Sequence, residues 1–339
     1  MNNLQNLTKE QQIELLGKIP QTPLYYKFGD YKYNTDSKER VLSGIYDLDY
    51  LIKGFELGCI TIWTGGTNAG KTTVMTMITK QTIAQGEKVF YFNGEQTKDD
   101  FKNNLYKQTV ERKNIYSKQY KDSNVFDYFV ADKEVERLNK IYGENLIVYN
   151  NEAKRTIDFL LQAMEECRIK YGVKVFMLDN FMQIETESND EYREQKDIME
   201  RLRTFAVNKN VHIHLVVHQK KTDKLNPRIT IYDVFGSSNL VNKAYNVISI
   251  IRVDSLDEDN LEYKRLAKIL FTWRYDIAKT STVLEVLKTK GTQCGVVGLV
   301  YDELTKTFKQ QEHIHQELYE KMKIEREFNK KGNEEKCPF

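Results

Sequence analysis

The chain has 339 residues, 40% of them hydrophobic, which is ample for one large α/β domain with extra elements. Its net charge of +2 excludes a globally basic nucleic-acid coat, so any nucleic-acid site must be a local basic patch. No apolar run approaches the roughly 18 residues needed to span a bilayer. The N-terminus lacks a basic-then-apolar secretory signal, and Cys59, Cys167, Cys294 and Cys337 form no C-x-x-C pair. Together these features point to a cytoplasmic protein with reduced thiols, no zinc module and no membrane contact.

Residues 1–39 read as an arm or linker. Thr8 caps a short polar helix with Gln11 three residues on, Ile13, Leu15, Leu16 and Ile19 give it a partial apolar stripe, and Pro20 and Pro23 stop it. Two readings stay open: a helix packed on its own domain, or an arm lying on a neighbouring subunit. Residues 40–310 form one domain in which strands and helices alternate. Strands are expected at 59–64, 88–93, 145–149, 173–179, 211–218, 247–251 and 266–272, with a hairpin from 283–287 and 298–301. Helices are expected at 73–80, 157–171 and 191–208, together with a long charged helical stretch over 97–141 that loosens in its middle. Such alternation predicts an α/β fold, a mostly parallel twisted sheet covered by helices. Residues 311–339 read as a charged tail with a helix near 311–328.

Residues 65–72 are Gly65-Gly66-Thr67-Asn68-Ala69-Gly70-Lys71-Thr72, which fits the phosphate-loop pattern G-x-x-x-x-G-K-[ST]. The glycines let the backbone curl so that successive N–H groups point at a β-phosphate. Lys71 would reach the β- and γ-phosphates, and the Thr72 hydroxyl would ligate Mg²⁺. Thr73 starts the following helix and completes the nucleotide-binding set. A strand before and a helix after are what the chemistry needs, because the helix N-terminus adds its dipole to the anion site.

A triphosphate site needs a second acidic group for the metal. Asp179 ends the apolar run Val175-Phe176-Met177-Leu178, where such a carboxylate belongs. Glu95 follows the second strand and can face the γ-phosphate as general base, or it is a surface residue in an Asn-Gly turn. His218 is positioned to touch the γ-phosphate and report its loss. His212 and His214 share its strand face, but without an acidic or cysteine partner nearby a core strand is the better reading than a metal site. The loop after His218 carries Lys220, Lys221, Lys224 and Arg228, which suit contact with a phosphate backbone. No aromatic lies in this loop, so its grip would be electrostatic. Arg274 is either an arginine delivered to a neighbour's γ-phosphate or a surface ion-pair partner.

Taken together, the residues resemble the hexameric replicative helicases of the RecA-like class. The likeness is nearest to the Twinkle-like mitochondrial helicase and the helicase half of phage primase–helicases, with DnaB further off. The segments Ser43-Gly44-Ile45-Tyr46-Asp47-Leu48-Asp49, Gly54-Phe55-Glu56-Leu57-Gly58, Asp179-Asn180-Phe181-Met182-Gln183, Val217-His218-Gln219-Lys220-Lys221 and Phe235-Gly236-Ser237-Ser238 carry it, in family order over about residues 40–310. The resemblance implies a RecA-like P-loop NTPase core that binds ATP or another nucleoside triphosphate with Mg²⁺ through Lys71, Thr72 and Asp179. It makes Glu95 the catalytic base, His218 the γ-phosphate sensor and Arg274 a finger acting in trans. It assigns Lys220 and Lys224 to DNA. The partners implied are single-stranded DNA, further copies of the chain in a hexameric ring, and primase, polymerase or a loader. The chain departs from the family at Thr272, Asn242 and Tyr245, where a Lys, a Gln and an Asp are usual. The expected function is a helicase-only motor, of phage or bacterial type, that unwinds duplex DNA. The alternatives are a RecA-like accessory ATPase without processive unwinding, and a nucleotide-gated scaffold with little hydrolysis.

Overall fold

The computed structural model describes residues 27–30, 38–121, 123–186, 190–219, 230–234 and 238–314. The chain divides into two units, Met1–Lys38 and Glu39–Phe339. In the first, the described residues form a single 3₁₀ turn, Phe28–Asp30. The arm helix expected around Thr8 lies outside the described residues, as does most of the expected tail helix; residues 311–314 carry no helix.

The second unit opens with β1 (Arg40–Val41), α1 (Tyr46–Ile52) and β2 (Phe55–Glu56), the two strands pairing antiparallel around the helix. The turn into α1 is tied by Asp49, whose carboxylate accepts from the N–H of Ser43 at 2.7 Å and of Gly44 at 3.2 Å. The elements that follow are β3 (Ile60–Gly65), α2 (Lys71–Ala84), β4 (Val89–Asn93), α3 (Lys98–Lys107), β5 (Ile115–Gln119), β6 (Phe126–Val130) and α4 (Asp132–Asn145). Next come β7 (Leu146–Val148), α5 (Ile157–Tyr171), β8 (Val175–Asp179), α6 (Glu191–Lys209), β9 (His212–Val216) and α7 (Ser238–Lys243). The last are β10 (Asn246–Arg252), α8 (Leu261–Thr272), β11 (Thr282–Lys288), β12 (Val296–Asp302) and β13 (Thr307–Gln310).

Nine of these strands form one sheet in the order β13-β12-β11-β10-β3-β9-β8-β4-β7. From β10 to β7 every pairing is parallel; β11, β12 and β13 extend the sheet antiparallel. The parallel strands are apolar at nearly every position because both their faces are covered. Trp63, Tyr91 and Met177 face one core with α2, α3, α4 and α8; Ile62, Phe90 and Leu178 face the other with α5, α6 and α7.

Two expectations fail. The stretch 97–141 is not continuous helix: α3 and α4 flank a separate two-stranded sheet, β5 with β6. Its alternation of aromatic and polar residues is a strand period, masked by the high lysine content. Residues 266–272 are not a strand but the end of α8. Asn260 caps that helix by accepting from the Glu262 N–H at 2.8 Å, and Leu266 and Leu270 are buried four residues apart, one helical turn. The expected final hairpin is present and gains a third strand, β13.

His212 and His214 lie wholly inside the sheet and hold no metal-type partners among the described residues. His212 Nδ1 donates to the Glu56 carbonyl at 2.7 Å and Nε2 accepts from the Thr61 hydroxyl at 3.1 Å. The indole N–H of Trp63 donates to His214 Nδ1 at 3.2 Å. Burial pushes the His212 imidazole down from 6.5 to about 4, and drives His214 well below its usual value. The unfolded chain takes up these protons below about pH 6.5 while the folded chain resists. Their contribution to stability is therefore intact above that pH and lost as pH falls toward 4. At pH 5 the loss is expected to be about 2 kcal/mol for each histidine. Urea unfolding at pH 7.5 and 5 measures it; His212→Gln is expected to flatten the dependence, and an undiminished loss in that variant would exclude the imidazole as its source.

Candidate functional site

β3 delivers the phosphate loop to the carboxyl edge of the sheet, and α2 begins at Lys71 directly behind it. The loop's shape requires its glycines. Gly65, at φ 156°, lies against the Ile250 carbonyl of β10, and a Cβ there would collide with that oxygen. Gly70, at φ 97°, is the N-cap of α2, and a Cβ there would lie 2.8 Å from the Phe308 ring. Asn68 also adopts the left-handed region, at φ 60°. Thr67 and Ala69 complete the loop, and the Thr73 carbonyl accepts from Gln108 Nε2 at 3.3 Å.

Lys71 is buried, and its ammonium donates to the carbonyls of Gly65 at 3.1 Å and Gly66 at 2.8 Å. Burial lowers its pKa, while Asp179 and Glu95 pull it back up. Asp179 ends β8, buried, with its carboxylate hydrogen-bonded by the Thr72 side chain and by the Tyr91 hydroxyl at 3.3 Å. Burial raises this carboxyl to about 6; the charge on Glu95 adds to the shift, while Thr72, Tyr91 and Lys71 oppose it. The pair expected to hold a metal, Thr72 and Asp179, is thus in contact, and its hard oxygen donors suit Mg²⁺.

Glu95 and His218 are brought together by a residue that the sequence reading did not single out. Asn180 Nδ2 donates to Glu95 Oε1 and lies 3.0 Å from His218 Nε2; His218 Nε2 is in turn 3.4 Å from Glu95 Oε1. The loop carrying Glu95 is held to β8 by the Gly94 N–H, which donates to the Asp179 carbonyl at 2.7 Å. His218 stands two residues beyond β9, which ends at Val216. Gln219 follows, bridging to Val234, with its amide Oε1 buried and without a hydrogen-bond partner among the described residues. A polar residue directly after the strand-end Asp179 was the signal for Asn180, but an amide carries no motif of its own.

Arg274 does not join this cluster within the chain. It follows α8 at φ 64°, and its guanidinium Nη2 reaches the Ile314 carbonyl at 3.5 Å. Lys220, Lys221, Lys224 and Arg228 lie outside the described residues, as does the Phe235–Ser237 segment of the resemblance. Of the three departures, Thr272 closes the last turn of α8 by donating to the Lys268 carbonyl at 3.0 Å. The carbonyl of Asn242 accepts from Lys288 Nζ at 3.0 Å, and the Tyr245 hydroxyl donates to Glu56 Oε2 at 3.3 Å. A cavity of about 550 Å³ lies between α3, α4 and β7 and contains no phosphate-loop residue. The site is assigned instead on its converging charged and amide groups.

A parallel sheet with a phosphate loop after β3, an acid after β4 and another at the end of β8, and an antiparallel extension beyond β10 defines a RecA-like ATPase fold. The chain belongs to the DnaB-like helicase C-terminal domain family, whose model matches residues 41–310. Its fold is similar to a DnaB-like replicative helicase described with its interactions with primase, at 15% identity and TM-score 0.64, over 90% of this chain and 67% of that one. It is also similar to a separately solved ATPase domain, at 15% identity and TM-score 0.62, over 80% and 91%. A KaiC-like protein of the hyperthermophilic archaeon Pyrococcus horikoshii matches at 15% identity and TM-score 0.54, over 81% and 100%. No helix among the described residues is long and apolar enough to cross a membrane.

The raised Asp179 carboxyl has a consequence for stability. With its folded value near 6 and the usual value 3.8, its contribution is present at low pH and lost as pH rises between the two. At pH 7.5 the ionised carboxylate therefore costs up to about 3 kcal/mol. Asp179→Asn is expected to raise the unfolding free energy of the metal-free protein by about 1–3 kcal/mol at pH 7.5 and to change it little at pH 4. Denaturant unfolding at both pH values measures this, and an equal gain at both would rule out the charge as the cause.

Proposed function

We propose that the chain is the motor of an ATP-driven helicase that assembles as a ring, a hexamer by the family resemblance, and moves on single-stranded DNA. The observation that carries this is the convergence of Lys71, Thr72 and Asp179 with Glu95, Asn180 and His218 at one edge of the sheet. Residues 40–310 are the motor, 1–39 an arm and 311–339 a tail.

In this reading the loop N–H groups from Gly65 to Thr73 cradle the nucleotide phosphates, and Lys71 leaves the loop carbonyls to pair with the β- and γ-phosphates. Thr72 and Asp179 would hold Mg²⁺, which when bound neutralises charge developing on the phosphates. Glu95 orients and deprotonates the attacking water, and Asn180 positions its carboxylate. His218 senses the γ-phosphate through the same amide. Gln219 follows it directly and leads into the basic segment, so a shift at His218 moves Lys220, Lys221, Lys224 and Arg228 against the DNA backbone. Arg274 reaches the γ-phosphate of a neighbouring copy and stabilises transition-state charge in trans. A primase, polymerase or loader would dock on the assembled ring in a bacterial or phage-infected cytoplasm.

Unwinding of a forked duplex by the ATP-loaded protein tests the reading; a DNA-stimulated ring that does not unwind would leave an accessory ATPase. Glu95→Gln is expected to lower turnover by about 10²–10⁴-fold with nucleotide affinity nearly unchanged. Lys71→Ala is expected to abolish turnover. Replacing Lys220 and Lys224 by Ala is expected to reduce the salt slope of single-strand binding by about 1.4, two phosphate contacts' worth. An unchanged slope would remove that segment from the DNA path.

A further inference from the structure

The hairpin formed by β5 and β6 is absorbed by none of the chemistry above. Its base is anchored: Val130 is buried, Ile115 packs on the core, and Asn103 Nδ2 of α3 donates to the Tyr128 carbonyl at 3.4 Å. The rest stands out from the domain as its own two-stranded sheet. A lone hairpin is marginal in water, yet this one exposes Tyr116, Tyr120, Val125, Phe126, Tyr128 and Phe129, by 37% to 58% of each residue. An exposed patch of that kind marks a binding surface.

Register decides what the surface offers. Tyr116 pairs with Phe129 and Lys118 with Asp127, while the Tyr120 N–H donates to the Val125 carbonyl at 2.9 Å. Tyr116, Lys118 and Tyr120 therefore share one face at alternate positions, with Phe129 and Asp127 opposite them on the same face. The rings of Tyr116 and Phe129 lie 5.9 Å apart at 32°. Lys121 sits over the Tyr120 ring at 5.1 Å. Neither Lys118 nor Lys121 has a carboxylate within ion-pair distance among the described residues, whereas Arg112 and Lys113 at the hairpin's base are paired with Asp302 and Glu111.

We propose that this face of the hairpin binds single-stranded nucleic acid, a contact additional to the basic segment at 220–228 and resting on the DNA-motor reading above. Rings offer every base a stacking surface, and lysines between them meet the phosphates. A protein partner fits less well, since lysine is depleted from the cores of protein interfaces and here two lysines stand among the rings. The hairpin supplies the stacking aromatics that the basic segment lacks.

The test uses the full chain with a non-hydrolysable ATP analogue and oligo-dT. The Tyr116→Trp variant is expected to show saturable fluorescence quenching by oligo-dT. Replacing Tyr116, Tyr120 and Phe129 together by Ala is expected to weaken oligo-dT binding at least tenfold, with DNA-free ATP turnover unchanged, because the hairpin lies outside the catalytic cluster. Lys118→Gln with Lys121→Gln is expected to reduce the salt slope by about 1.4. Should the parent bind oligo-dT while the Trp reporter stays silent and the triple variant binds equally well, the hairpin proposal is overturned and the motor reading stands. Lost self-association with oligo-dT affinity retained would make a second copy the occupant, which also overturns it. A parent that binds no DNA at all would sink the motor reading itself.

Discussion

A buried ammonium and a buried carboxylate at one sheet edge set the terms for everything around them. Lys71 and Asp179 are each less than a tenth exposed, and burial disfavours the charged form of both. Their mutual attraction offsets part of that cost, and oriented hydrogen bonds offset more: two carbonyls on the ammonium, two hydroxyls on the carboxylate. Such an arrangement survives only on a rigid support. The parallel strands β3, β9, β8 and β4 supply it, because each ends at the same edge and is buried on both faces. The remaining polar groups of the site are then placed by where those strands stop.

The antiparallel extension is the second half of that support. β10 puts the Ile250 carbonyl against Gly65, and β13 puts the Phe308 ring against Gly70. The Phe308 N–H points to Met77 Sδ at 3.1 Å, fastening β13 onto α2. Gln108, at the end of α3, donates to the carbonyls of both Thr73 and Lys306. The phosphate loop is therefore gripped by the strand beside it, by the strand over its helix and by the helix after β4. A loop whose N–H groups must already point inward before a phosphate arrives needs that grip, since ordering it on binding would subtract from affinity.

Much of this was readable from the residues, and the parts that were not share a cause. The phosphate loop, the strand ending at Asp179 and the helix Ile157–Tyr171 combine a strong period with a fixed spacing, so local pattern and tertiary context agree. Residues 266–272 combine strand-like composition with a helical period, and the cap at Asn260 decided for helix. The 115–130 hairpin hid in a lysine-rich stretch where charge suggested a solvated helix. Asn180 stands in a family segment but takes no role from it, because that role is geometric: it links Glu95 and His218, which come from the ends of two other strands, and nothing in its immediate neighbours encodes that meeting.

Arg274 combines an unfavourable backbone conformation with a firm local anchorage. It occupies the position just past the C-cap of α8, where the left-handed conformation is normally given to glycine. An arginine there costs on the order of 1 kcal/mol. Its backbone is nonetheless held firmly, the N–H donating to the Phe271 carbonyl at 3.0 Å and the carbonyl accepting from the Ile314 N–H at 2.7 Å. The side chain is engaged as well, its Nη2 donating to the Ile314 carbonyl at 3.5 Å, so the corner is held through both the backbone and the guanidinium. Thr272, in place of the usual cation two residues earlier, turns its hydroxyl back onto the helix and donates to the Lys268 carbonyl, so the positive charge at this corner is that of Arg274.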